Sequence, residues 1–270
     1  MSVQLLDKVE KTSNLKLTAR LHNDINSFLN SGKIFELVKA LGSPLNILFP
    51  EMLEENLSGF YKMLQQHKLT GRIYFAHKAN RADAIPRHLA TTVAYIDVSS
   101  VNELRHALGC GFEASRIQAT GPKNTEFLHL CLQHNIVIAA DSLQELKQLI
   151  ELKTLLPARS KTQLLLRVSG FKNRQAKHQG KASRFGIRAE KIHEALDLLE
   201  TVRNEFRLLG FSFHLDTVSA LEKSIAVESC LQLIEEAIER DLIRLWSTSV
   251  VDSKLITSKT DRIGANTHPQ

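Results

Sequence analysis

With 270 residues, 43% of them hydrophobic, the chain can bury one large core without disulfide staples, and its three scattered cysteines, Cys110, Cys131 and Cys230, form no C-x-x-C pair. That usage argues against a disulfide framework or a zinc site and points to a reducing, cytoplasmic setting with no bound metal. The net charge is +6 and the pI about 9.2, yet no zinc-finger, RRM or interleaved basic and aromatic pattern is present, and no apolar run approaches a membrane span, so neither nucleic acid nor membrane is an expected partner.

Read in chain order, short β-like runs alternate with amphipathic helical stretches. The β-like runs are RIYFAH (72–77), AYIDVSS (94–100), RIQAT (116–120), NIVIAAD (135–141), QLLLRVS (163–169), LLGFSFHLD (208–216) and a last run, LIRLW (242–246). Between them lie the helical patterns ADAIPRHLA, VNELRHALGCGF, NTEFLHLCLQ, SLQELKQLIELKTLL, RAEKIHEALDLLETVRNEF and SALEKSIAVESCLQLIEEAIER. Strand then helix, repeated this often, predicts parallel strands with crossover helices. No G-x-G-x-x-G follows the first strand, which favours a (β/α)8 barrel over a Rossmann sheet.

In such folds functional groups collect at the carboxyl ends of strands, where the loops line the open mouth. Lys78, Asp97, Thr120, Asp141, Arg167 and His214 each stand at or near such an end. Singly, each has a plain structural reading: a lysine after a strand is often a solvated stem, Asp97 and Asp141 can cap the helices that follow, and a histidine between apolar residues often sits satisfied in a core. The densest basic stretch, residues 167–191, reads as a solvated loop or as an anion site.

At these residues the chain resembles a known family. YFAHKAN looks like the lysine motif of the fold-type III pyridoxal-phosphate enzymes, the diaminopimelate, ornithine and arginine decarboxylases. IDVSSVNELRHALGCGFEASRIQATGPKN, LLLRVSG, SRFGI and GFSFHLD continue that family's pattern in the same order, over about residues 43–241. The resemblance implies a TIM-type barrel of the alanine racemase N-terminal-like kind. It implies pyridoxal 5'-phosphate as cofactor, Lys78 as the residue forming the aldimine, and His214, Asp97, Arg167 and Thr217 as further cofactor contacts. The implied activity is that of a carboxy-lyase acting on a small amino acid, and a full-length relative would be a homodimer.

The departures from the pattern shape the expectation. HLDTVS puts Asp216 and Thr217 where relatives carry Gly-Ser after the histidine, and beyond Arg240 no glycine-rich phosphate loop follows, Gly264 being the only glycine in the last 29 residues. The predicted organisation is an N-terminal helical extension (1–42), a cofactor-binding barrel (43–241) left incomplete at its C-terminal end, and an atypical polar tail (242–270), with the C-terminal β-domain of relatives missing. This reading makes the chain a truncated decarboxylase-like protein with little activity by itself. Alternatives on the same scaffold are a barrel-only cofactor-homeostasis protein and a non-catalytic, inhibitor-like regulator.

Overall fold

The structure, a computed structural model, describes residues 21–156, 160–171, 183–215, 219–243 and 249–252. It divides into two compact units, one ending at Leu48 and the other beginning at Phe49. In the first, helices α1 (Asn23–Asn30) and α2 (Lys33–Leu41) are joined through Gly32, whose φ of +74° is open to glycine at little cost.

The second unit opens with α3 (Glu51–Gln66) and then alternates strand and helix. Its order is β1 (Tyr74–Ala76), α4 (Ala84–Ala90), β2 (Tyr95–Val98), α5 (Val101–Gly109), β3 (Ile117–Ala119), α6 (Thr125–His134), β4 (Val137–Ala140), α7 (Leu143–Leu155) and β5 (Thr162–Ser169). After it come β6 (Ile187–Arg188), α8 (Ile192–Thr201), β7 (Phe206–Phe213), α9 (Ala220–Glu239) and β8 (Ser249–Asp252). Every ladder is parallel, in the order β1-β2-β3-β4-β5-β7-β8, with β6 a side branch on the end of β5. This is the α/β architecture that the alternation predicts. Among the described residues no ladder joins β1 to β8, so the sheet is not closed there.

Strand alternation sorts the side chains into two layers. Ile96, Val98, Ile117, Ile138, Leu164, Leu166 and Phe211 pack with helix residues such as Leu104, Leu128 and Leu146 into the main core. Val137, Ala139 and Leu165 form a separate small apolar cluster on the opposite, inner face. Asp97, Gln118, Arg167 and Ser212 stand in the strands of the same sheet, which positions the site.

The element ends differ from expectation for identifiable reasons. The helix expected through Phe112 stops at Gly109, because Gly111 takes φ +97°. The helix expected over 188–206 is confined to Ile192–Thr201: Ile187 and Arg188 are drawn into a ladder with β5, and Phe206 pairs with Thr162 at the start of β7. Sheet pairing overrides local helical periodicity there. The strand expected at 242–246 is not seen at Leu242 and Ile243, which lie in a bend, and the rest of that run is outside the described residues. A strand forms instead at Ser249–Asp252, in register with Gly210–Phe213.

Candidate active site

β1 ends at Ala76 and passes directly into a one-turn 3-10 helix, His77–Ala79. Lys78 is the middle residue of that turn and is exposed at the carboxyl edge of the sheet, while His77 beside it is buried. The turn is closed by Asn80, whose Oδ1 accepts from the Ala82 N–H at 3.0 Å.

Asp97 lies next to Ala76 in the β1/β2 register. Its carboxyl is buried, and Oδ2 accepts from Thr120 Oγ1 at 2.9 Å, with Ser99 Oγ 3.4 Å from the same hydroxyl. Burial pushes its pKa up to about 7, opposed by the Thr120 hydrogen bond and by the positive charges of Lys78 and Lys123. Oδ1 has no hydrogen-bond partner among the described residues.

Asp141 and Arg167 form a second pair. Arg167 Nη1 donates to Asp141 Oδ1 at 2.5 Å, and its guanidinium lies 5.1 Å from the centre of the Phe185 ring. The Gly186 N–H approaches the other oxygen of Asp141 at 3.4 Å. Gly186 has φ +85°, and a Cβ there would lie 3.2 Å from the Arg167 carbonyl oxygen and from Ser169 Cβ, so the backbone passes where only glycine fits.

Two βα turns repeat one device. Ser100 caps α5 and Ser142 caps α7, each accepting from the N–H of the glutamate three residues on. Glu103 reaches back to the Ser99 N–H at 2.8 Å, and Glu145 to the Asp141 N–H at 3.1 Å. Glu145 also holds Lys123, whose Nζ donates to Glu145 Oε1 at 2.9 Å and to the carbonyls of Gly121 and Ala139, each at 2.6 Å.

Direct hydrogen bonds therefore join Thr120 to Asp97 and Arg167 to Asp141, and Lys78 couples to Asp97 through charge. His214 follows the last residue of β7 and is half-buried. Thr217 and Asp216 lie outside the described residues, as does 172–182 of the basic stretch. Reading strand ends alone passed over Glu103, Lys123 and Glu145, although the S-x-x-E spacing of SVNE and SLQE marks both glutamates. It also passed over two buried polar groups deeper in the sheet: Gln118, in register with Asp97, and Ser212, in register with Arg167. Gln118 Oε1 and Ser212 Oγ, like Asp97 Oδ1, have no partner among the described residues.

Comparison with known proteins gives this edge a family. Residues 52–240 match the model of the pyridoxal-dependent decarboxylases, pyridoxal binding domain. An uncharacterized protein, y4yA, from Sinorhizobium fredii is 34% identical over 206 residues, 76% of this chain and 43% of its own length. Diaminopimelate decarboxylase from Methanothermobacter thermautotrophicus is 30% identical over 118 residues, 43% of this chain and 28% of its own. Among solved structures, diaminopimelate decarboxylase from M. jannaschii in complex with L-lysine superposes with a TM-score of 0.68 at 20% identity, covering 78% of this chain and 51% of that one. Lysine/ornithine decarboxylase from Vibrio vulnificus complexed with putrescine gives 0.61 at 20% identity, covering 84% and 56%. The chain thus spans between 28% and 56% of the length of these proteins. Since the family match runs from within α3 to the end of α9 and takes in every strand from β1 to β7, the chain belongs to the pyridoxal-dependent decarboxylases through their pyridoxal-binding domain.

Proposed function

We propose that this chain binds pyridoxal phosphate at the carboxyl edge of its sheet, with Lys78 as the amine that attaches the cofactor, and that it serves amino-acid decarboxylation. One observation carries the reading. Lys78 emerges from β1 beside the buried carboxyl of Asp97, one of whose oxygens has no partner among the described residues. A buried acceptor left open on an inner face that also carries Gln118 Oε1 and Ser212 Oγ, each without a partner among the described residues, fits a polar, nitrogen-bearing group better than an apolar core. When bound, the cofactor supplies an electron sink for the carbanion left by departing carbon dioxide.

The residues of the chain do the rest. Asp97, with a pKa of about 7, can hold or release a proton at Oδ1 near neutral pH and stabilises positive charge at Lys78 when ionised. Arg167, Asp141 and Gly186 bind one another and stiffen the β5 side of the mouth. His214 and Thr217, following β7, complete the cofactor contacts.

The substrate is a small amino acid. No glycine-rich loop follows Gly210, with Gly264 the one later glycine, so the tightly turned backbone that aims several N–H groups at a phosphate is scarce. That scarcity favours a second reading, a cofactor-binding but non-catalytic protein on the same scaffold. Carbon dioxide release from meso-diaminopimelate, lysine, ornithine and arginine at saturating cofactor separates the two. Release above that given by free cofactor, however slow for the 270-residue chain, supports decarboxylation, whereas attachment at Lys78 with no such release supports the non-catalytic reading.

A further inference from the structure

A hydrogen-bonded chain outside this set of residues ends on the neighbour of Lys78. Asp83, just before α4, has Oδ1 2.8 Å from His106 Nε2, and His106 Nδ1 on α5 is 2.6 Å from His77 Nε2. The two imidazoles meet edge to face, with ring centres 4.9 Å apart. His77 is buried, and its Nδ1 has no partner among the described residues, so the contact with His106 is its anchor there.

We propose that His106 and Asp83 are positioning residues for Lys78, acting through His77 by a chain that needs an unprotonated nitrogen between the two imidazoles. The inference rests on Lys78 being the cofactor-attaching amine. His77 and Lys78 are consecutive in one three-residue turn, so whatever fixes the His77 ring limits where the Lys78 backbone can go. α5 holds this edge twice: His106 grips the turn after β1, and Glu103, one helical turn earlier, grips the Ser99 N–H after β2.

The proton count follows from the carboxylate. His106 donates its Nε2–H to the Asp83 carboxylate, leaving Nδ1 as an acceptor for the Nε2–H of His77. One further proton can be carried at His77 Nδ1 without breaking this order. Another sets N–H against N–H across 2.6 Å, and the link opens.

The surroundings oppose that state at His77. Burial lowers the His77 pKa, Glu103 raises it, and His106 and Arg81 lower it further. The hydrogen bond from His106 is the main cause of the lowered pKa of Asp83, with Arg87 of α4, 3.7 Å from its Oδ2, adding to it. Lys78 itself and the Cys110 thiol, which feels both Asp83 and Arg87, complete the titratable groups around the chain.

The test measures attachment of pyridoxal phosphate to Lys78 by borohydride trapping and peptide quantitation, across pH, in the 270-residue chain and in three variants. His106→Leu removes the acceptor, and attachment at Lys78 is expected to fall about tenfold at all pH values. His106→Gln keeps an acceptor for His77 and a donor for Asp83, and is expected to restore attachment to within about threefold while losing the steep acid limb of the parent. Asp83→Ala changes an exposed residue and is expected to give a severalfold loss even if the leucine variant does not fold. Equal attachment in the parent, His106→Leu and Asp83→Ala would overturn the proposal, as would equal failure of the leucine and glutamine variants. Trapping at other lysines in the parent would overturn the assignment of Lys78 first and the positioning role with it.

Discussion

Lys123 and Glu145 form an ion pair, Nζ to Oε1 2.9 Å, in which the lysine side chain is 0% and the glutamate side chain 5% exposed. The pair ties the loop after β3 to the start of α7, because Glu145 also takes the backbone N–H groups of Lys123 and Asp141. It braces the same edge of the sheet that carries Lys78, Asp97 and Arg167. A buried charge that keeps its partner is tolerated, while one that loses it is costly.

Glu145→Ala should therefore destabilise the fold by about 3–5 kcal/mol, since it strands the Lys123 ammonium and two backbone donors. Lys123→Met keeps the bulk and takes the counter-charge from Glu145, but leaves that carboxylate its two backbone N–H donors, so it should cost somewhat less. Urea unfolding of the two variants checks the order, and a larger loss for the methionine variant would contradict it.

Gly186→Ala should cost about 1–3 kcal/mol, because φ is +85° and the new Cβ would meet backbone and side chain at 3.2 Å. The displaced backbone carries the N–H that reaches Asp141, so the Arg167 pair should loosen as well. A crystal structure or amide-exchange measurement at Gly186 and Arg167 reads both effects. Unchanged stability would mean that this segment shifts freely.

The strands β1 to β5 and β7 were legible from sequence to within a few residues, because each is an apolar run between turn signals. β6 was not, since a two-residue strand has no periodicity to read, and it exists only through its ladder to Val168 and Ser169. Among candidate site residues, Lys78, Asp97 and Arg167 were legible because strand ends in parallel folds are known places for function. The roles of Lys123 and Gln118 were not, because nothing local tells a buried lysine or glutamine from a solvated one. The His77–His106 contact spans 29 positions and depends on α5 packing beside β1, which no local pattern encodes.

Stability should depend on pH through Asp97. The folded-state pKa, about 7, lies above the ordinary 3.8, so the protonated carboxyl stabilises the fold fully below about pH 3.8, and the contribution is lost as pH rises through about 7. Asp97→Asn should remove this dependence, an effect on the order of 1–3 kcal/mol between pH 4 and pH 8. Denaturant midpoints of parent and variant across that range test it, and parallel curves would mean that Asp97 stays ionised throughout.

The thiols of Cys131 and Cys230 should be inert in the folded chain. Both are fully buried, and burial pushes each pKa up to about 12, so almost no thiolate exists at neutral pH. A thiol-reactive chromogen should label them only after denaturant is added. Rapid labelling of either cysteine in the native chain would show that the helix layer opens readily.

The central claim is that Lys78 attaches pyridoxal phosphate beside Asp97. The most direct measurement is borohydride reduction of the cofactor-treated chain, followed by peptide mapping of every lysine. The expected result is a pyridoxyl group on Lys78, lost in Lys78→Ala and weakened when Asp97→Asn removes the neighbouring charge. A label spread over surface lysines, or placed on another lysine with Lys78 unmodified, would contradict the account.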